Sequence, residues 1–392
     1  MKSAILCPLF LFFAVLTIPG RSQTISHAEK VALNAPDSVE LNIGLLSDYF
    51  SANLKGKNEL LRAFYIWTAR EISYDVDNMY NPQPVVNRGE LIKKVLKERR
   101  AVCQGYSEVF HELCKNTGIE CYLINGYTRH DGVIMPLSHT WVLARPDTGW
   151  FFFDPTWGSG YVNNAVFTSR FSNEWYMVPP AVMVKTHMPF DPLWQCLYYP
   201  LTSADFYNNE KPEKEPQRYF AFPDSILAYQ ASGLKEQYES TLRRVEANGV
   251  VNSNIGEFVR LLRHNIEIEK NNKEVMLRND LAYRFNDAVA EFNKATLLFN
   301  EYVAYWNKQF KPLRPDDQIR EMMDTCVNTL ARTEKMLSEI SPREESLQQN
   351  KTMLLQSLVQ LKQQLGSHQA FLREYFATPK TNRPKLFYTF KF

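Results

Sequence analysis

Ala101-Val102-Cys103-Gln104-Gly105-Tyr106-Ser107 opens a run in which Tyr106, Val109, Phe110, Leu113 and Cys114 recur at helical spacing until Gly118 supplies a stop. The spacing predicts a helix from Cys103 to Asn116, with the cysteine at its N-terminus. A thiol ionises with a free pKa of about 8.5, and a helix N-terminus or a nearby imidazole lowers that value and makes it a better nucleophile. Gln104, Gly105 and Tyr106 are expected to allow close backbone approach, so that substrate reaches the sulfur and the Cys103 amide faces a developing oxyanion. Downstream, Glu120–Tyr127, Thr140–Ala144 and Trp150–Asp154 are predicted as strands, the last two joined by the turn residues Pro146, Asp147, Thr148 and Gly149. Counting outward from that turn places His139 opposite Asp154 to within about two residues. Asp154 can then fix the imidazole tautomer while His139 takes the thiol proton of Cys103, which is a cysteine–histidine–aspartate row.

These same stretches, Ala101–Ser107, Ser138-His139-Thr140-Trp141 and Trp150-Phe151-Phe152-Phe153-Asp154-Pro155-Thr156-Trp157, resemble the three motifs of the transglutaminase-like superfamily. Tyr65-Ile66-Trp67 and Ile72-Ser73-Tyr74-Asp75 upstream, with Thr186-His187-Met188-Pro189 and Trp194-Gln195 downstream, extend the likeness over residues 60 to 205, in the manner of the kyphoscoliosis-peptidase branch. The resemblance implies an α+β, papain-like core in which the cysteine-bearing helix packs on an antiparallel sheet. It also implies Cys103, His139 and Asp154 in the catalytic roles, hydrolysing or transferring acyl groups at an amide. Thr140, where alanine is commoner, and valine after Trp141 in place of asparagine depart from the pattern without touching the triad. For the second oxyanion donor Tyr74 and Trp67 are candidates, each weighed against a plain core role. His187 is expected to be structural or to line the groove.

The wider chain has 392 residues, enough for two domains. Lys and Arg number 45 against 43 Asp and Glu, so no charge excess points to nucleic acid. Aromatic residues, 13% of the chain, gather at Trp141–Trp157 and Trp175–Tyr199 and suggest a groove or a heavily packed region. Lys2 followed by the apolar run Ala4–Ile18, with small residues before Gln23, is expected to be a cleavable signal peptide over residues 1–23, which would make the protein secreted or periplasmic with no membrane span afterwards. Removing it leaves Cys103, Cys114, Cys121, Cys196 and Cys326, an odd set read as free thiols, a Cys114–Cys121 disulfide being the alternative. Residues 24–205 form the expected catalytic domain, and 206–223, with Lys211-Pro212-Glu213-Lys214-Glu215-Pro216, a linker. Residues 224–378 form an α-helical bundle, its last helix started by Ser341, Pro342 and Glu344 as a capping box, and 379–392 a tail whose Leu386–Phe392 alternates like a short strand.

No cofactor or metal is expected. His111, Cys114 and Cys121 lack a fourth zinc ligand at suitable spacing, and neither a calcium loop nor a glycine-rich phosphate loop is present. Asn350-Lys351-Thr352 fits a glycosylation acceptor but falls in a predicted helix. The expected activity is that of a cysteine peptidase or amidase working through a thioacyl-enzyme on peptide or protein substrate, with the bundle offering a surface for a protein partner. A crosslinking acyltransferase and a non-catalytic adaptor are the rival readings.

Overall fold

The computed structural model describes residues 25–80, 87–209 and 218–390. The expected signal segment, the stretch around Pro82 and Pro84, and the charged linker at Lys211–Pro216 lie outside the described residues. Two compact units divide at residues 265 and 266.

The first unit is α+β. Its sheet has four antiparallel strands in the order Phe151–Phe153, Val133–Ala144, Cys121–His130 and His187–Pro189. The helix Cys103–Asn116 packs on it, and Tyr106, Val109, Phe110, Leu113 and Cys114 are all fully buried on the facing side. Burying each such side chain contributes about 1.5–3 kcal/mol, so this one stripe is enough to fix the helix on the sheet. Phe110 lies between Phe64 of the helix Gly56–Glu71 and Phe153 of the sheet, with ring centroids 6.1 Å and 5.2 Å away. Ser107 Oγ donates to the Thr140 carbonyl of the sheet at 2.9 Å, and the Tyr106 hydroxyl to the Ile72 carbonyl at the end of the Gly56–Glu71 helix at 2.6 Å, so polar contacts tie the helix to both neighbours.

Ahead of the cysteine helix run the helices Gly56–Glu71 and Arg88–Glu98, the latter stopped by Arg99 in the left-handed region at φ 53°. Residues 24–60, where periodicity is weak, hold the helices His27–Leu33, Asp37–Glu40 and Ile43–Asn53. Their signal is faint because much of each short helix faces solvent. Gly105 corrects an expectation. It is buried, and a Cβ there would lie 2.5 Å from Ala101 Cβ and 3.0 Å from Val95 Cγ2. Its missing side chain admits the preceding helix, not substrate.

Two helices that follow the linker, Phe222–Ala231 and Leu234–Asn248, belong to this first unit and not to the bundle. Arg244 grips Asp191 through two hydrogen bonds of 2.8 and 2.7 Å, and Ile226 joins the apolar cluster of Trp194, Leu193 and Phe152.

In the second unit, the later part of the helix Ser253–Asn307 together with Asp316–Ser338 and Glu345–Ala377 enclose Phe299, Tyr302, Phe310, Leu330, Leu361 and Phe371. Two expectations fail here. The last long helix begins at Glu345 with Glu344 as its N-cap and no capping side chain. Ile340 is fully buried and its carbonyl accepts from Lys351 Nζ at 2.6 Å, which keeps Ser341–Arg343 outside the helix. The tail is a helix, Arg383–Thr389, with Pro384 in its first turn, rather than a strand. Leu386 and Phe390 stand one turn apart beside Phe387, and together they cover Phe371 and Phe310. Cys103, Cys114, Cys121, Cys196 and Cys326 are all free thiols.

Gly126, paired with His139 on one side and Pro189 on the other, is the tightest point of the sheet. A Cβ there would lie 2.1 Å from the Met188 carbonyl oxygen and 2.6 Å from Trp141 Cη2. Gly126→Ala is therefore expected to cost about 1–3 kcal/mol in urea unfolding. Gly366→Ala, on a helix with nothing within 4 Å, should be neutral or gain up to about 1 kcal/mol. Equal stability of the two variants would refute the close approach.

Candidate active site

Cys103 is the first residue of its helix and is half-buried, with Val102 as an N-cap that offers no side-chain acceptor. The Gly105 amide is taken by the Val102 carbonyl at 2.9 Å, whereas the Cys103 amide, first in the helix, has no acceptor within it and can face an anion. The strand Val133–Ala144 carries His139 and Thr140 past this terminus. Cys103, His139 and Thr140 line one cavity, with the imidazole and the Thr140 backbone as the groups that draw the thiol down. Burial pushes the thiol up, but these two groups outweigh it, and the thiol ends below its ordinary range. His139 moves the other way: burial alone would lower it, and the Asp154 carboxylate with the Cys103 sulfur raises it to about 10. Both shifts favour a thiolate–imidazolium pair at neutral pH.

Asp154 ends the strand Phe151–Phe153 and caps the short helix Pro155–Ser159. The sheet register pairs Val142 with Phe153, so its continuation sets Trp141 opposite Asp154 and leaves His139 two residues away on the same face. The carboxylate has no exposed surface. Its Oδ1 accepts from the Thr156 amide at 2.9 Å and the Trp157 amide at 3.1 Å. Its Oδ2 accepts from His139 Nε2 at 2.7 Å and from His187 Nε2 at 3.1 Å. A carboxylate can only accept, so each of these nitrogens carries hydrogen, and the Nδ1 of His139 is left for the cysteine. Burial would raise Asp154, yet the two imidazoles hold it far below the usual carboxylate range.

His187 escaped the sequence reading as a partner of Asp154, although its stretch was noted. It sits on the three-residue edge strand paired to the Cys121–His130 strand, opposite Thr128, and is fully buried. Burial lowers it to about 4 despite the carboxylate beside it, so the ring is neutral. Its Nδ1 then accepts from the Thr186 hydroxyl at 2.8 Å. Trp141, Trp157 and Trp175 wall it in, with ring centroids 5.1, 4.5 and 5.1 Å away. The nitrogen and oxygen atoms of His139, Asp154 and His187 lie within 4.8 Å of one another, a spacing a metal ion could use. The two imidazole-to-carboxylate hydrogen bonds already account for that convergence.

Of the two oxyanion candidates, Trp67 is spent elsewhere: its Nε1 donates to Glu40 at 2.7 Å inside the core. Tyr74 is the better placed. Its short strand pairs in parallel with Arg100–Ala101, directly before the cysteine helix, and its phenol, raised first by burial and next by the charge of Cys103, lines the cleft. Two adjoining cavities share Tyr74, Met79, Met135, His139 and Trp157. One of about 230 Å³ holds Cys103 and Gln104, and the other of about 390 Å³ runs past Tyr161 and Phe167.

Residues 46–155 match the sequence pattern of the transglutaminase-like superfamily. Over 159 residues the chain is 28% identical to the kyphoscoliosis peptidases of Mus musculus and Homo sapiens, an alignment that covers 38% of this chain and 24% of theirs. The chain thus matches only about a quarter of the length of these relatives. A solved structure described as that of a TGase overlaps 59% of this chain and 53% of its own at 16% identity, with a TM-score of 0.27. Residues 46–155 thus carry a transglutaminase-like domain, and over the aligned 159 residues the chain is similar to the kyphoscoliosis-peptidase branch of that superfamily.

Proposed function

We propose that this chain is a cysteine hydrolase that cleaves amide bonds of peptides or proteins, with Cys103 as nucleophile, His139 as base and acid, and Asp154 as the residue that orients the histidine. The observation that carries this reading is a half-buried thiol at a helix N-terminus that shares one cleft with His139, whose Nε2 is held at 2.7 Å by a buried carboxylate. The thiolate attacks the substrate carbonyl, and the oxyanion meets the Cys103 amide and the Tyr74 hydroxyl. His139 gives its proton to the leaving amine, which departs and leaves a thioacyl-enzyme. Water, deprotonated by the same imidazole, then releases the acid and restores the thiol. The relatives named as peptidases favour water as acceptor. The larger cavity beyond His139 gives a second molecule its own approach, which keeps transfer to a primary amine as the rival outcome.

Export belongs to this proposal and is supported by Lys2 and the apolar run Ala4–Ile18. Among the described residues no helix is long and apolar enough to cross a membrane. The helical second unit is proposed as a docking surface for a protein partner.

Site-resolved alkylation tests the nucleophile. Because Cys121 is also drawn down, to about 6, by the Cys114 thiol and then by His111 and Arg88, the adduct must be located by peptide mass. The acid limb of Cys103 alkylation by iodoacetamide should lie below the ordinary thiol value of about 8.5. In His139→Ala it should climb to that value, slowing the reaction at pH 6 by roughly tenfold or more. An ordinary pKa in the wild type would remove the case for an activated thiol.

Turnover of a peptide-amide library should vanish in Cys103→Ala with its melting temperature nearly unchanged. The pH profile should rise through the lowered thiol pKa and fall near 10, where His139 loses the proton it must donate. Products formed with and without a primary amine distinguish hydrolysis from transfer. Full turnover by Cys103→Ala would sink both.

A further inference from the structure

We propose that His187 is a positioning residue for the Cys103–His139–Asp154 row, holding Oδ2 of Asp154 in line with His139 and keeping the carboxylate from turning or taking up a proton. The inference rests on the catalytic reading of that row.

The Asp154 carboxylate is fully buried and accepts four hydrogen bonds. The Thr156 and Trp157 amides fasten Oδ1 alone, which leaves Oδ2 to be fixed by the imidazoles. His139 cannot do this by itself, because it is the group whose bonding changes as its proton moves to and from sulfur. His187 can. Its ring is clamped from behind by the Thr186 hydroxyl at 2.8 Å and held by Trp141, Trp157 and Trp175, and its strand is tied to the Cys121–His130 strand. The titratable groups facing it are Asp154 and His139. It stays neutral, so it adds a donor without adding a charge that would repel the imidazolium.

A carboxylate left with three donors in so dry a site can rotate Oδ2 off His139 or bind a proton. Either change weakens the imidazolium that keeps the thiol ionised, so the sign is an upward move of the thiol pKa. A plain core histidine would affect stability and leave that pKa alone.

The test is iodoacetamide alkylation of Cys103 against pH in the full chain, read by peptide mass, with the folded fraction followed by circular dichroism. His187→Met keeps bulk and removes the donor. Its acid limb should move up by about one pH unit, so that alkylation at pH 6 slows roughly tenfold. His187→Gln, whose side-chain amide can donate from nearly the same place, should recover most of the loss. Should His187→Met fail to fold, Thr186→Val, half-buried and outside the row, should shift the limb the same way by a smaller amount. A folded His187→Met, or in its absence Thr186→Val, with the wild-type profile overturns the positioning role while the activated thiol stands. A wild-type Cys103 of ordinary pKa overturns the catalytic reading and this inference with it.

Discussion

A carboxylate with no contact with water keeps its charge only where donors replace the hydration shell, and Asp154 is such a group. Desolvating an ion costs several kcal/mol, while each hydrogen bond to a charged group contributes about 1.5–3 kcal/mol. Four such donors together contribute about 6–12 kcal/mol, enough to offset that penalty. Two of them come from backbone amides that exist only because Asp154 caps the short helix Pro155–Ser159, and two come from strands on opposite sides of the central one. The charge of one residue thus depends on the helix after it, the Val133–Ala144 strand and the edge strand all being in register.

That dependence runs into the core. The Asp154 amide donates to the Trp175 carbonyl at 3.0 Å, and its carbonyl accepts from Gly158 at 3.0 Å. Gly158 has no room for a side chain, since a Cβ would lie 2.1 Å from the Tyr65 hydroxyl. Tyr65 in turn donates to Ser172 at 2.6 Å, which ties the Gly56–Glu71 helix to the loop behind the site. Tyr65 thus packs against the short helix that Asp154 caps, so the packing of the helices bears directly on the carboxylate's surroundings.

How much of this was legible follows from how local each signal is. The cysteine helix declares itself through a buried stripe five residues strong, and His139 with Asp154 through a turn that can be counted across. His187 lies 33 residues from Asp154, past a small hairpin and a short helix, on a strand of three residues. No periodicity survives in so short a strand, and no counting argument spans that connection. Gly105 was misjudged because glycine in a helix beside a cysteine suits substrate access and helix–helix contact equally, and only the position of Val95 decides between them. The tail was misjudged because Leu386, Phe387 and Phe390 fit either period over seven residues. The helices Phe222–Ala231 and Leu234–Asn248 follow a composition break, yet contacts such as Arg244 with Asp191 carry the first unit past it.

The exposure of the row has a direction that suits its chemistry. Asp154 and His187 are sealed, His139 is 8% exposed, and Cys103 is half-buried at the cleft. Negative charge is anchored where water cannot screen it and spent where substrate can enter. In the proposed reaction charge would leave the sulfur for the carbonyl oxygen, a move of only two bonds. The Cys103 amide at the helix N-terminus can stay with it throughout. As the proposed acid, His139 would have only to turn its proton from the direction of sulfur to that of the leaving nitrogen, about a ring whose far edge is held at 2.7 Å by Asp154. The most firmly bonded end of the row is the buried one, and it fixes the orientation that the proposed chemistry would use.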